Sequence, residues 1–434
     1  MFSTKRGSGA GRASRRVPLI LLAAATLAGA AACSSSSGSG AASSGASSSA
    51  ASGSTGAAAS SSPPAALSAY FPGKKAAGTP VKIGLINNEG SSPTAEPSLG
   101  DAAVAAADYA NAELGGIGGH PIQVDRCSET EDTASATACA NQMVQDQVAA
   151  VVIGTTGFGG SMVPIITKAG IPYVSVTAAA AAEGTTPGTF MWSGGYVATL
   201  GGFAKYAAQQ GYKKVTAYAI DTPASLAGAN ALGGPLFKAA GVSLTVSPVP
   251  AGVPDATSQV TAGLQSKPDA VAVIADEGTC TSILKALEVV DPTIPRMVIT
   301  SCLTTSAVKA LGSAMNGVKV FGASAPQASD AEGQLYQYVM AKYAPDANAT
   351  GYTVTGYQSM LGLVRATAGL KGTPTPQSIT AAIKAAKNVA LPAGGGLTFT
   401  CNGTAVTGQP SDCSAGEVMV TVQNGVGVDP QVIK

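Results

Sequence analysis

Short apolar runs alternate with longer segments that carry a single apolar stripe along most of this chain. Residues 81–86 (Val-Lys-Ile-Gly-Leu-Ile), 148–153 and 171–176 read as strands, the second of them apolar throughout. An Ala-rich helix is expected over 99–114, closed by Gly115-Gly116. Residues 121–127 alternate apolar and polar positions, as a half-buried strand does. Helices are expected over 133–147 and from about Ser161.

The alternation restarts after Tyr196. Helices are expected over 200–210, 226–240, 258–265 and 282–290, and strands over 215–220, 242–246, 270–274, 297–300 and 318–321. Three helices follow, near 331–343, 353–370 and 376–387, and two short strands near 397–400 and 418–422 close the chain. Strands that are apolar throughout and separated by helices indicate parallel sheets covered on both faces. Two such series of similar size predict an α/β protein of two doubly wound, Rossmann-like lobes.

The N-terminal 80 residues break that pattern. Lys5, Arg6, Arg12, Arg15 and Arg16 precede an uncharged, mostly apolar run over 17–32, shorter than the roughly 20 residues of a membrane span. Basic, then apolar, then small residues is the anatomy of an export signal. The run closes on Ala30-Ala31-Ala32-Cys33 and so resembles a bacterial lipoprotein signal, which implies residues 1–32 as a cleaved signal peptide and a lipidated Cys33. Ala30 stands where that family prefers Leu. Residues 33–78 read as a tether, because 34–66 are almost wholly Ser, Ala, Gly and Pro and cannot bury enough apolar surface to offset chain ordering. A location outside the cytoplasm, on the outer face of a bacterial cell membrane, is the expectation.

Charge and cysteine usage narrow the chemistry. Lys plus Arg number 25 and Asp plus Glu 24, so there is no basic excess for nucleic acid. Removing the signal takes away five positive charges and no negative ones. His120 is the only histidine, which leaves His-based catalysis and His-rich metal sites without material. Of the seven cysteines, six remain once Cys33 is set aside, an even number in an oxidising compartment. Fifteen pairings are open. Short separations favour Cys127–Cys139, Cys280–Cys302 and Cys401–Cys413. No CxxC supports zinc, and neither a metal nor a cofactor is expected.

The residues 81–85 (Val-Lys-Ile-Gly-Leu), 100–103 (Gly-Asp-Ala-Ala), 114–122 (Leu-Gly-Gly-Ile-Gly-Gly-His-Pro-Ile), 151–154 and 170–175, taken in order, resemble branched-chain amino-acid-type, leucine-binding-like substrate-binding proteins of ABC transporters. Residues 352–370 resemble that family's long helix after the second hinge. The resemblance implies the type I periplasmic binding protein fold, with three crossovers near 192–196, 322–327 and 404–416. Lobe one would comprise 79–193 plus 327–405, and lobe two 194–326 plus 414–434. The implied partners are a small-molecule ligand held between the lobes and permease and ATPase subunits on other chains. The membrane would be met only through the lipid anchor, and the protein is expected to be a monomer.

Ligands of open α/β sheets bind outside the carboxyl ends of the strands, where helix N-termini suit anionic groups. Gly159, Gly160 and Ser161 form such a junction, although Ser161 could equally be a plain helix cap. In the family, the turn matching Thr177, Ala178 and Ala179 holds the α-ammonium and α-carboxylate of an amino acid; its usual threonine falls on Ala179 here. On lobe two the candidates are Asp221, Ala224, Asp276, Glu277 and Thr279, where the family often carries tyrosines. Asp276 or Glu277 could replace the family's acid, or simply solvate the loop. Gly116-Ile117-Gly118-Gly119 lacks the Lys-Ser/Thr ending of a phosphate loop and reads as a turn, with His120 in it. Trp192 reads as packing near the first crossover.

A receptor for an amino-acid-like or carboxylate-bearing solute is therefore expected, not an enzyme. A ligand sensor of the same fold is the alternative. An α/β hydrolase would need a nucleophile elbow followed by a histidine, and His120 comes too early.

Overall fold

The computed structural model describes residues 63–90 and 95–433, without the side chains of Pro223, Ala224 and Ala227. The signal segment and Cys33 lie outside the described residues.

The first series comprises β1 (Val81–Asn88), α1 (Pro97–Glu113), β2 (Ile122–Glu129), α2 (Thr133–Gln145), β3 (Ala150–Ile153), α3 (Gly159–Lys168), β4 (Tyr173–Ser175), α4 (Ala181–Thr185) and β5 (Thr189–Met191). Its sheet is parallel, in the order β2-β1-β3-β4-β5. Alternate side chains point to opposite faces of a strand. Ile83, Leu85, Val152 and Val174 thus share one buried core with α1 and the later helix over Val354–Ala366, while Ile86, Val151, Ile153 and Tyr173 share another with α2 and α3.

The second series comprises α5 (Gly195–Gln209), β6 (Lys214–Ile220), α6 (Pro223–Gly228), α7 (Gly234–Ala239), β7 (Ser243–Val249), α8 (Thr257–Leu264), β8 (Ala270–Ile274), α9 (Glu277–Val290), β9 (Arg296–Ile299), α10 (Thr305–Leu311) and β10 (Lys319–Gly322). The chain then runs through α11 (Ala331–Tyr343), α12 (Val354–Ala366) and α13 (Pro376–Ala385), a small hairpin of β11 (Val389–Ala390) and β12 (Thr398–Phe399), and ends in β13 (Glu417–Gln423) and β14 (Val426–Ile433). The second sheet has the order β14-β13-β10-β9-β8-β6-β7. Its β13 and β14 are antiparallel and the rest parallel. Helix α12 returns to the first lobe and packs on α1. Gly356 makes that crossing possible, since a Cβ there would run into the carbonyl oxygen of Leu99.

The chain passes between the two sheets three times: after β5, after β10 and after β12. The first and third passages are joined. Met191 N–H donates to Ser411 O (2.9 Å), and Cys413 N–H donates to Met191 O (2.8 Å). Fully buried Trp192 stacks on Phe399 with ring centroids 4.6 Å apart, and its Nε1 donates to Ser359 O. The three disulfides are Cys127–Cys139, Cys280–Cys302 and Cys401–Cys413, with Cα separations of 5.6, 5.5 and 4.3 Å.

Three expectations need correction. The tether was expected to reach residue 78, yet residues 65–70 form a 3-10 turn with Leu67 fully buried. Tyr109 donates its hydroxyl to Tyr70 O (2.6 Å), and Phe71 packs edge-on against Tyr109 and Tyr338. A single helix was expected over 226–240. The helical run is unbroken over 223–239, but a π-helical turn at Ala229–Gly233 lies inside it, between α6 and α7. Strands β5, β11 and β14 were not foreseen. The turn at 116–120 is as expected: Gly116 has φ 64°, and Ile117 and His120 exchange backbone hydrogen bonds.

Candidate functional site

The carboxyl ends of β3, β4, β9 and β10 converge on one cavity of about 320 Å³ between the lobes. Lobe one supplies Thr155, Thr156, Ser175 and Thr177–Ala179, and lobe two supplies Ile299, Thr300 and Phe321. A second cavity of about 650 Å³ adjoins it and shares Glu96, Ile299 and Tyr352 as walls. Parallel strands all present the same end here, which is why one face of each sheet edge can build a joint site.

Part of the expected anion seats is filled by the chain's own carboxylates. Glu183, on α4, accepts from the N–H groups of Ala179 and Ala180 (both 2.8 Å) and from the hydroxyl of Tyr173. The same carboxylate lies against Gly159 at the start of α3, where a Cβ could not fit. Gly157 N–H, just before that helix, donates to Glu131 (3.0 Å). A carboxylate at a helix N-terminus is stabilised by the free N–H groups and the helix dipole. Burial raises the Glu183 carboxyl above its ordinary pKa, and its three hydrogen bonds oppose that rise.

The sequence candidates therefore divide. Thr177, Ala178 and Ala179 do line the cavity, but the Ala179 N–H is taken. Gly159, Gly160 and Ser161 line neither cavity. On lobe two, Asp276 and Glu277 line the second cavity. Asp276 caps α9, accepting from Thr279 N–H (3.0 Å) and Thr279 Oγ1 (2.9 Å). Thr279 is fully buried and accepts from Gly252 N–H, so it turns away from the cleft. Asp221 is exposed, and its N–H donates to Val249 O; it lines neither cavity. Ala224 lies on α6, with its side chain outside the described residues.

Several wall residues escaped the sequence reading, Glu96, Tyr196, Tyr352 and Glu417 among them. Glu96 precedes α1 and borders both cavities. Its carboxyl is raised, first by burial and then by Glu277 on the opposite lobe. Tyr196 stands at the start of α5 and Tyr352 just before α12. Glu417 opens β13, is 2% exposed, and accepts from Thr199 Oγ1 (2.8 Å) through Oε1. Burial pushes its carboxyl up to about 8. Among the described residues no Lys, Arg or His lines either cavity. Arg126, near the carboxyl edge of β2, is paired with Glu89 (2.6 Å) and Asp101 (2.8 Å).

A family profile described as periplasmic binding protein matches residues 80–414. The chain belongs to the periplasmic binding protein family. Membership implies work outside the cytoplasm and agrees with the two lobes and their shared cleft. Solved structures of similar fold include a putative branched-chain amino acid ABC transporter protein from Rhodospirillum rubrum, at 19% identity and TM-score 0.66, covering 82% of this chain and 100% of that one. The branched-chain amino acid substrate-binding protein LivJ of Streptococcus pneumoniae, solved with isoleucine, matches at 20% identity and TM-score 0.64, covering 82% and 100%. A solute-binding protein from R. palustris, solved with 4-hydroxybenzoate, matches at 17% identity and TM-score 0.66, covering 82% and 97%. All three are named as transport or solute-binding proteins, and none as an enzyme. A comparison with curated proteins finds no match.

Proposed function

We propose that this periplasmic binding protein is the solute receptor of an ABC importer, lipidated at Cys33 and tethered to the outer face of the membrane, with permease and ATPase on other chains. The observation that carries the reading is the cavity between the lobes, walled by the strand ends of both sheets. Hinged lobes of this kind close around a ligand. Thr177, Ala178 and Ala179 contribute its lobe-one wall, and Asp276 and Glu277 flank its mouth on lobe two. The ligand is read as the amino-acid-like or carboxylate-bearing molecule implied by the resemblance, with the acids of the cavity walls facing its amine end.

A thermal-shift screen of small metabolites on the full chain tests the reading. A ligand at one hundred times its dissociation constant adds about 2.7 kcal/mol of stability. At least one metabolite is expected to raise Tm, with the shift reduced in Thr177→Ala and kept in Ser161→Ala. Uptake of that metabolite by cells should be lost when the gene is deleted. A screen with no shift would remove the receptor role, and unchanged uptake would favour sensing over transport.

A further inference from the structure

We infer that the cleft selects a small organic cation, a primary ammonium without a compensating carboxylate; the inference rests on the receptor reading above. Five acidic side chains line the two joined cavities: Glu96 and Glu183 from lobe one, Asp276, Glu277 and Glu417 from lobe two; Glu183 and Asp276 are already engaged, by Ala179, Ala180 and Tyr173 and by Thr279. No cationic side chain among the described residues answers them there, and of the backbone donors at the lobe-one edge Ala179 and Ala180 are taken by Glu183 and Gly157 by Glu131.

Glu417 is the independent observation. The residue is 2% exposed, it lies on the wall of the cavity between the lobes, and the side-chain hydrogen bond it accepts, from Thr199, goes to Oε1, which leaves Oε2 for a donor in the cavity. A carboxyl that is desolvated on all sides but the cavity gains most from a donor placed there. An ammonium N–H entering the cavity supplies that donor and a countercharge together. Burial keeps the empty site's carboxyl mostly protonated near neutral pH.

The aromatic walls fit the same ligand. Tyr196 and Tyr352 approach from different lobes, the first half-buried and the second 46% exposed. Each offers a ring face to a cation on closure. The free oxygen of Glu417 favours an ammonium that still carries hydrogens over a quaternary one.

Isothermal titration of the full chain with two probe sets decides the matter. The first set is butylammonium, putrescine, agmatine and choline; the second is isovalerate, 4-hydroxybenzoate and leucine. A primary amine is expected to bind, and choline more weakly. Glu417→Gln keeps the acceptor for Thr199 and removes the charge. It should weaken the amine by about tenfold or more, as loss of a buried charged partner does. Tyr352→Leu alters a half-exposed position and should weaken it by about threefold to fivefold; it carries the test if Glu417→Gln does not fold. Binding confined to the second set overturns the cation inference and leaves the receptor reading standing. Amine affinity unchanged in both variants also overturns it. Binding by neither set overturns both.

Discussion

Glu417 and Asp412 are acids kept in the wrong charge state by their surroundings. Burial lifts Glu417 to about 8 and Asp412 to about 7, and Asp412 Oδ1 has no hydrogen-bond partner among the described residues. Their folded pKa values lie above the unfolded values near 4. The folded state therefore binds more protons than the unfolded one between about pH 4 and 8, and stability falls as pH rises through that window. The ligand-free protein should show a Tm that declines by several degrees from pH 5.5 to 8.5, with the slope reduced in Glu417→Gln. A Tm that rises over the range would contradict the protonated assignment. Glu417 was not identified from sequence as part of the site. Glu417 begins the apolar run Glu-Val-Met-Val, and a carboxylate at the head of such a run is a signal of burial. Glu96-Pro97 gave less: only the fold brings it to the mouth of the cleft. Thr279 misled for the opposite reason. A threonine three residues after an aspartate is what a helix cap looks like, and it serves the helix.

At the scale of elements, most of the fold was legible because burial on both faces leaves strands with no polar residues. The runs 148–153 and 270–274 could only be core strands. Strand β14 was hidden by its Gly427 and Pro430, yet it is the edge of its sheet, where proline is tolerated, and its pairing shifts register there. Strand β5 is three residues long and also an edge. The ordered start at Ala65 was signalled by Leu67, Tyr70 and Phe71 amid small residues, but composition alone favoured a tether. The α1–α12 contact was invisible because the sequence does not say which glycine serves close approach. Gly356→Ala should force those helices apart and cost about 1–3 kcal/mol, the usual range for overpacking. A clear fall in Tm with retained secondary structure is expected by circular dichroism; an unchanged Tm would mean that the crossing can relax.

The whole molecule has to bring two lobes together across a gap whose facing charges repel. Glu96 on lobe one is raised partly by Glu277 on lobe two, so the two carboxylates sense each other across the mouth of the cleft. Glu96 is exposed, which screens the interaction and keeps it modest. It still has a direction: the repulsion favours opening while the site is empty, and a bound ammonium would turn it into two attractions. A ligand can shift an open–closed equilibrium only by its differential affinity for the two states. This pair gives a cation such a difference and gives an anion the reverse. Glu277→Gln should therefore bias the empty protein toward closure. The radius of gyration from small-angle scattering is expected to be smaller for the variant than for the wild type at low ionic strength. Added salt should narrow the gap, because screening shortens the range to about 10 Å at 0.1 M. Lowering pH should have the same effect on the wild type, since Glu96 protonates sooner than an ordinary glutamate. If variant and wild type scatter identically at low salt, the two carboxylates do not set the resting position of the lobes.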